Sequence, residues 1–321
     1  MLNEVRNKMK MTLPAPIAVM LLTIASAPVY AQIDLAGFWQ NPVFEDVQER
    51  IDGPAIGDFL GLPLNPAGRR AGEAWSAAIV SVPEHQCQDY PADYQSNSMW
   101  SFDMWKEVDP VSHAIIAWHT RLQYMVPERT IWMDGRPHPD EDAAHTWGGF
   151  STGRWEGGSL VVTTTHLKTS WLRRNGVPRS DKATLVERFT RHGNYLSVVT
   201  TVYDPVYLSE PYARSRDLIL NPVGSVGVYP CESVEETARP IGDIPHVLPG
   251  ENKYLTEFAA VDGVPVEATL AGAEAMYPEY RTLLAAMGQG GVTKEGENCC
   301  PVRGRLLCCW PSLPSYLLRF F

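Results

Sequence analysis

The run ATLVERFTRHGNYLSVVTTVY, residues 183–203, decides the fold. Ala183 to Thr190 and Tyr195 to Tyr203 are rich in β-branched and aromatic residues. Between them lies Arg191-His192-Gly193-Asn194, where Gly193 and Asn194 tolerate positive φ, so the sequence reads as a hairpin. Working outward, Leu160 to Lys168 precedes this hairpin and Tyr212 to Leu220 follows it as two further strand-like runs. Upstream, AIIAWH, LQYMV and TIWMDGRPHP are apolar runs broken by polar or Asp-Gly turns, and Asp34 to Trp39 reads as a first strand. A meander of adjacent antiparallel strands closes into a barrel or a strongly curved sheet. Helices flank it: Asn65-Pro66 is an N-cap followed by proline, opening a helix from Ala67 to about Ile79. Shorter helices are expected at Tyr254 to Ala260 and Glu267 to Met287. The expected class is mainly β, a β-rich α+β fold with an antiparallel lipocalin-like barrel or curved sheet and helical decorations at both ends.

The parity of the strands places chemistry. In Ala183 to Thr190, Glu187 shares its face with Ala183, Leu185 and Phe189. A carboxylate on an apolar face must meet a cation or take up a proton more readily than usual, and both conditions mark binding and catalytic sites. The same count puts His166 with Leu160, Val162 and Thr164, and Arg214 with Arg216, Leu218 and Leu220. If these faces line one barrel, Glu187, His166 and an arginine converge, with Glu187 and His166 as candidate acid/base residues. The alternative is a structural ion pair or a solvated strand end. Trp147, Trp155, Trp171, Tyr195 and Tyr203 supply aromatic lining for a pocket, although at least half of them are expected to be core. Arg173, in the basic turn Arg173-Arg174-Asn175-Gly176, is a candidate carboxylate or phosphate fork, with a solvated loop as the alternative.

A second constellation runs from Asp134 to Trp147 and carries His138, His145 and the acidic triplet Asp140-Glu141-Asp142. These are ligand types for a divalent metal, zinc or ferrous iron, with His166 as a third ligand. The seven-residue spacing of His138 and His145 is not that of a helical clamp, and Pro137 and Pro139 argue for a loop. No G-x-S-x-G elbow, Walker loop, H-E-x-x-H, C-x-x-C or G-x-G-x-x-G strand-to-helix turn occurs, so the corresponding hydrolase, NTPase and dinucleotide readings drop out.

The 321 residues are 45% apolar and 20% charged, a globular composition. With 37 acidic against 27 basic residues the formal charge is -10, which gives no footprint for nucleic acid. Residues 1–31 open with Arg6, Lys8 and Lys10, continue through an apolar run from Leu13 to Pro28 and close on Val29-Tyr30-Ala31. This is the three-part pattern of a secretory signal peptide, and its removal takes the charge to -12 because Glu4 leaves with three basic residues. The run is short for a membrane span and is broken by prolines, so the protein is expected to be periplasmic or secreted without stable membrane insertion. In an oxidising compartment Cys87 and Cys231 are candidates for one disulfide, worth about 4 to 5 kcal/mol in the chain-entropy model. The domain expectation is a signal peptide at 1–31, one β-barrel-like domain at 32–287 and a tail at 288–321. That tail holds Cys299, Cys300, Cys308 and Cys309 and reads as poorly packed or non-native, since adjacent cysteine pairs lack the spacer of zinc sites.

Several phrases resemble a large group of uncharacterised exported bacterial proteins: PEHQC (83–87), TIWMDGRPHP (130–139), HTWGGFSTGRWEGGSLVVTTTHLKTSWLRRNG (145–176), SDKATLVERF (180–189), DPVYLSEP (204–211) and PHVLPGEN (245–252). The resemblance spans roughly residues 34–287 and implies a shared fold and export; it carries no catalytic residue. The opening Asp34-Leu35-Ala36-Gly37-Phe38-Trp39 resembles the start of lipocalin-like barrels, from which the loop-rich stretch after Trp39 departs. The expected function is binding of a small apolar or aromatic molecule in a barrel pocket. The alternative is a hydrolase, isomerase or lyase, with or without metal, in the same pocket, and a third reading is an interaction module with docking aromatics.

Overall fold

Nine strands close into a barrel in the computed structural model of the chain, in the order β1-β11-β10-β9-β6-β5-β4-β3-β2. The described residues are 33–42, 54–97, 101–122, 125, 128–227, 231–234, 238–240, 242–248, 250–287, 299–302 and 305–308. The expected leader at 1–31 and most of the tail lie outside them; of the tail, Cys299–Val302 (β12) pairs with Arg305–Cys308 (β13). The described residues from Leu35 onward belong to one compact unit. No helix among the described residues is long and apolar enough to cross a membrane.

The barrel strands are β1 (Gly37–Gln40), β2 (Phe102–Val108), β3 (Ile115–Leu122), β4 (Arg129–Trp132), β5 (Phe150–Glu156), β6 (Ser159–Thr165), β9 (Thr184–His192), β10 (Tyr195–Tyr203) and β11 (Tyr212–Asn221). The hairpin that led the sequence reading joins β9 to β10, with His192 opposite Tyr195. Its two-residue loop has Gly193 at φ 61°, while Asn194 stays out of the left-handed region. Along both strands burial alternates: Leu185, Glu187 and Phe189 point in from β9, and Leu196, Val198, Thr200 and Val202 from β10. Each fully buried leucine or phenylalanine contributes about 1.5–3 kcal/mol, so this alternation fixes the register.

One pairing breaks the antiparallel rule. β4 and β5 run parallel, and only Ile131↔Ser151 and Trp132↔Thr152 are in register. The chain returns between them through residues 133–149, the segment that carries His138 and His145. A nine-strand barrel with a parallel seam departs from the all-antiparallel up-and-down pattern of lipocalins.

The helices are shorter than the sequence implies. Helix α1 spans Pro66–Glu73, with the Asn65 side chain accepting from the backbone of Ala67 and Gly68 at 2.9 and 3.0 Å. It stops where Trp75 leaves to bridge His246, and a 3-10 turn follows at Ala77–Ser81. Two single turns, α2 (Pro83–Gln86) and α3 (Tyr94–Asn97), precede β2. The expected helix at Tyr254 to Ala260 is a 3-10 turn, Lys253–Thr256, running into α4 (Glu257–Asp262). The expected helix Glu267–Met287 is three pieces: α5 (Val266–Thr269), a 3-10 turn at Ala273–Met276, and α6 (Tyr280–Ala286). Gly272, wedged against Arg69 and the Leu62 carbonyl, and Pro278 break it. Between β6 and β9 the small hairpin β7 (Ser170–Arg173) and β8 (Val177–Arg179) joins a second apolar cluster, where Leu172 and Val177 meet Phe59, Leu167, Leu208 and Leu255.

Candidate functional site

The barrel interior holds charge. Glu187 faces inward opposite Val162 on β6 and Thr200 on β10, with its side chain 1% exposed. An unpaired carboxylate there is costly, and the cation that meets it comes from β4. Arg129 shares the parity of buried Ile131, and its Nη2 donates to Glu187 Oε2 at 2.5 Å and to Thr164 Oγ1 at 2.6 Å. Its Nε donates to Ser151 Oγ at 2.9 Å, and the Ser151 and Thr164 hydroxyls are themselves 2.9 Å apart. Burial is the largest influence on Glu187 and pushes its carboxyl above the ordinary range; the charge and hydrogen bond of Arg129 oppose this, and Asp93 adds a smaller upward push. Arg129 Nη1 is buried and has no hydrogen-bond partner among the described residues.

Two more buried arginines extend this network. Arg179 on β8 lies 3.3 Å from Asp93 and donates to the carbonyls of Ser180 and Lys168. Arg216 on β11 donates to Gln95 O at 2.7 Å and Asn41 Oδ1 at 3.3 Å, while Thr120 on β3 donates to Gln95 Oε1 at 3.0 Å. Strands β3 and β11 are not neighbours in the barrel, so the segment around Asp93 and Gln95, which leads through α3, ties the lumen across its width.

The expected convergence of Glu187, His166 and Arg214 does not occur. His166 takes φ 57°, which ends β6 at Thr165 and redirects the side chain away from the row of Leu160, Val162 and Thr164. Arg214 lies on the Glu187 row, opposite Thr200, and is half-buried, but the arginine that meets Glu187 is Arg129. Sequence reading missed Arg129 by one residue, because the strand-like run was started at Thr130.

The three histidines do come together, at a cavity of about 310 Å3 that Thr165, Asp181 and Lys182 also line. His145 and His166 have ring centroids 5.2 Å apart. With the rings neutral, the hydrogen bonds run in one direction. The Asp140 carbonyl can only accept, so His166 Nε2, 2.9 Å away, donates to it. His166 Nδ1 then accepts from the Thr165 hydroxyl at 2.7 Å, whose oxygen in turn accepts from His138 Nδ1 at 2.7 Å. His138 Nε2 accepts from the Thr152 hydroxyl at 2.9 Å. His145 donates from Nδ1 to Leu167 O at 3.0 Å. Burial, and secondarily the neighbouring His166, lowers the affinity of His138 for a proton. No group of three His, Cys, Asp or Glu among the described residues is placed to hold a metal ion, and the ring nitrogens of His138 and His166 and the Nδ1 of His145 meet hydroxyls and carbonyls.

The expected aromatic lining is dispersed. Tyr195 and Tyr203 are 56% and 47% exposed on the outer face of β10. Trp155 lies across from buried Leu160 with its Nε1 buried and unpartnered. Trp171 and Trp147 line a cavity of about 350 Å3 beside Cys231. Arg173 is not a solvated fork: it donates to the Asp58 carboxylate at 3.0 Å, and the adjacent Asn175 is buried. Cys87 and Cys231 form a disulfide with their Cα atoms 5.7 Å apart.

A further cavity of about 410 Å3 opens at the parallel seam. Trp132, Trp147 and Phe150 wall it, Arg129 reaches it from the interior, and Asp89 and Glu128 contribute carboxylates. Of the aromatic residues singled out from sequence, only Trp147 is here. Compared with protein-family models, curated proteins and solved structures, the chain matches none.

Proposed function

We propose that the chain is an exported small-molecule-binding barrel whose ligand sits in the cavity at the β4–β5 seam. The observation that carries this reading is a cavity of about 410 Å3, walled by Trp132, Trp147 and Phe150, that touches a buried arginine with an unpartnered N–H group. Its size falls in the range of about 300–1,000 Å3 typical of ligand pockets, and its make-up of aromatic walls with few polar groups matches them too. The lumen itself is occupied by the Arg129–Glu187 pair and by Arg216, which leaves the seam as the place for an aromatic guest. A calorimetric screen of flat aromatic compounds tests this. Binding by the wild type that is lost in Trp147→Ala and Trp132→Ala supports the reading, and a ligand indifferent to both substitutions refutes it. Export rests on the pattern of residues 1–31; N-terminal sequencing of the protein from its native cell should begin at Gln32, and an intact Met1 would overturn it.

One observation favours the enzymatic reading. The Thr165 hydroxyl lies 2.7 Å from His166 Nδ1 and the Asp140 carbonyl 2.9 Å from His166 Nε2, so, with the ring neutral, a hydroxyl, a base and an orienting acceptor stand in line at a cavity. Hydrolysis of a chromogenic ester that disappears in Thr165→Ala and persists in Thr165→Ser is the expected result for this reading.

A further inference from the structure

We infer that the seam cavity selects an organic cation, a flat aromatic ring carrying a protonated amine. This rests on the proposed binding at that cavity and names the chemistry of its guest.

The charges that line the cavity do not cancel. Asp89 and Glu128 are both exposed, and Asp89 makes no side-chain hydrogen bond among the described residues. Glu128 lies 3.3 Å from His119 Nδ1 and has its side chain 53% exposed. The cation in the lining, Arg129, is balanced by Glu187 at 2.5 Å and is 2% exposed, so it offers a solvent-side guest no net positive charge. An anion there would meet Glu187 behind Arg129 as well as the two outer carboxylates.

The walls carry the same sign. The faces of aromatic rings are negative and attract cations. Two of these rings already do so within the chain: the Arg136 guanidinium sits 3.6 Å from the Trp132 centroid, and Lys168 Nζ lies 5.1 Å from that of Trp147. Arg136 is doubly bonded to the Asp134 carboxylate and adds no net charge, and Lys168 lies outside the cavity lining. Asp89, without a side-chain partner among the described residues, and Glu128, beside His119, join three rings in a lining where a cation is attracted by the carboxylates and by the ring faces that Arg136 and Lys168 leave open.

Tryptamine, indole and indole-3-acetate share one ring system and differ in charge, so calorimetric titration of the mature chain with all three isolates the effect. Tryptamine should bind about tenfold more tightly than indole, with indole-3-acetate weakest, and added salt should narrow the gap. The double substitution Asp89→Asn/Glu128→Gln, at exposed positions that do not threaten folding, should remove the preference for tryptamine over indole, and a preference that survives it overturns the inference. If indole binds in a Trp147-dependent way and tryptamine is no tighter, or indole-3-acetate is tighter, the inference falls and the binding site stands. If none of the three binds, both fall.

Discussion

Replacing Arg129 by methionine should destabilise the barrel in a pH-dependent way that replacing Glu187 by glutamine does not reproduce. Both side chains are at most 2% exposed and meet at 2.5 Å. Above neutral pH, Arg129→Met leaves a buried carboxylate without its cation, a loss of about 3–5 kcal/mol. For a domain of this size that is a fall of about 6–20 °C in Tm. The guanidinium also supplies both influences that hold the Glu187 carboxyl down, so its removal lets burial and Asp93 push the group further up. As pH falls through this raised value the folded state takes up a proton that the unfolded state, with an ordinary carboxyl, does not yet bind. Stability therefore rises as pH falls, and the deficit closes between the raised folded value and the ordinary unfolded one. Wild type follows the same sign over a narrower window. Glu187→Gln strands a guanidinium that cannot shed its charge, so its deficit stays flat. Urea unfolding of wild type, both single variants and Arg129→Met/Glu187→Leu, in mildly acidic and mildly alkaline buffer, reads this out. The double variant should cost less than the sum of the single substitutions. An Arg129→Met deficit equal in both buffers, or strict additivity, refutes the account of the interior.

Other substitutions test single elements. Cys87→Ser/Cys231→Ser should lower unfolding free energy by about 5 kcal/mol in the chain-entropy model, because the bridge closes a sequence separation of 144 residues; an unchanged urea midpoint would contradict this. Asp204 accepts from Ser180 N at 2.6 Å, Ser180 Oγ at 2.7 Å and Val206 N at 2.9 Å while buried, so Asp204→Ala should cost about 3 kcal/mol or more in the same assay, and under 1 would refute its role as the tie between β10 and the loop before β9. Gly153→Ala places a methyl group 2.6 Å from Met133 Sδ and 3.0 Å from Ile131 Cγ2 beside the seam, and a cost of about 1–3 kcal/mol in thermal unfolding is expected. Asn65→Ala removes the cap of α1 and should cost about 1 kcal/mol.

How much of this was legible in the sequence follows from what is local and what is not. The β9–β10 hairpin and its inward Glu187 were readable, because a two-residue turn fixes register and parity does the rest. The cap at Asn65 was readable for the same reason. A barrel was legible from the meander, with a curved sheet as the alternative, but not the pairings that close it, β1 with both β2 and β11 and the parallel seam between β4 and β5. Nor was the partner of Glu187, which lies 58 residues away and whose parity with Ile131 acquires meaning only once β4 is placed. His166 misled because a single left-handed residue, which no alternation rule foresees in histidine, turns its side chain out of the row.

The polar lumen also changes what kind of barrel this is. A barrel that holds an apolar guest inside keeps its inner face apolar, and Leu185, Phe189 and Leu196 alone would have implied one. Arg129, Glu187 and Arg216 interrupt that face, each held by partners from strands or loops distant in sequence, and a guest there would have to break charged hydrogen bonds worth about 1.5–3 kcal/mol apiece. For the proposed guest, the seam between β4 and β5 is therefore the less costly place. At the seam two register pairs join β4 to β5, the charge of Arg129 is already paired with Glu187 on the inner side, and aromatic residues from both strands and the returning loop line a common space. On the proposed reading, the ion pair that fills the lumen also supplies, through Arg129, the inner side of the seam cavity.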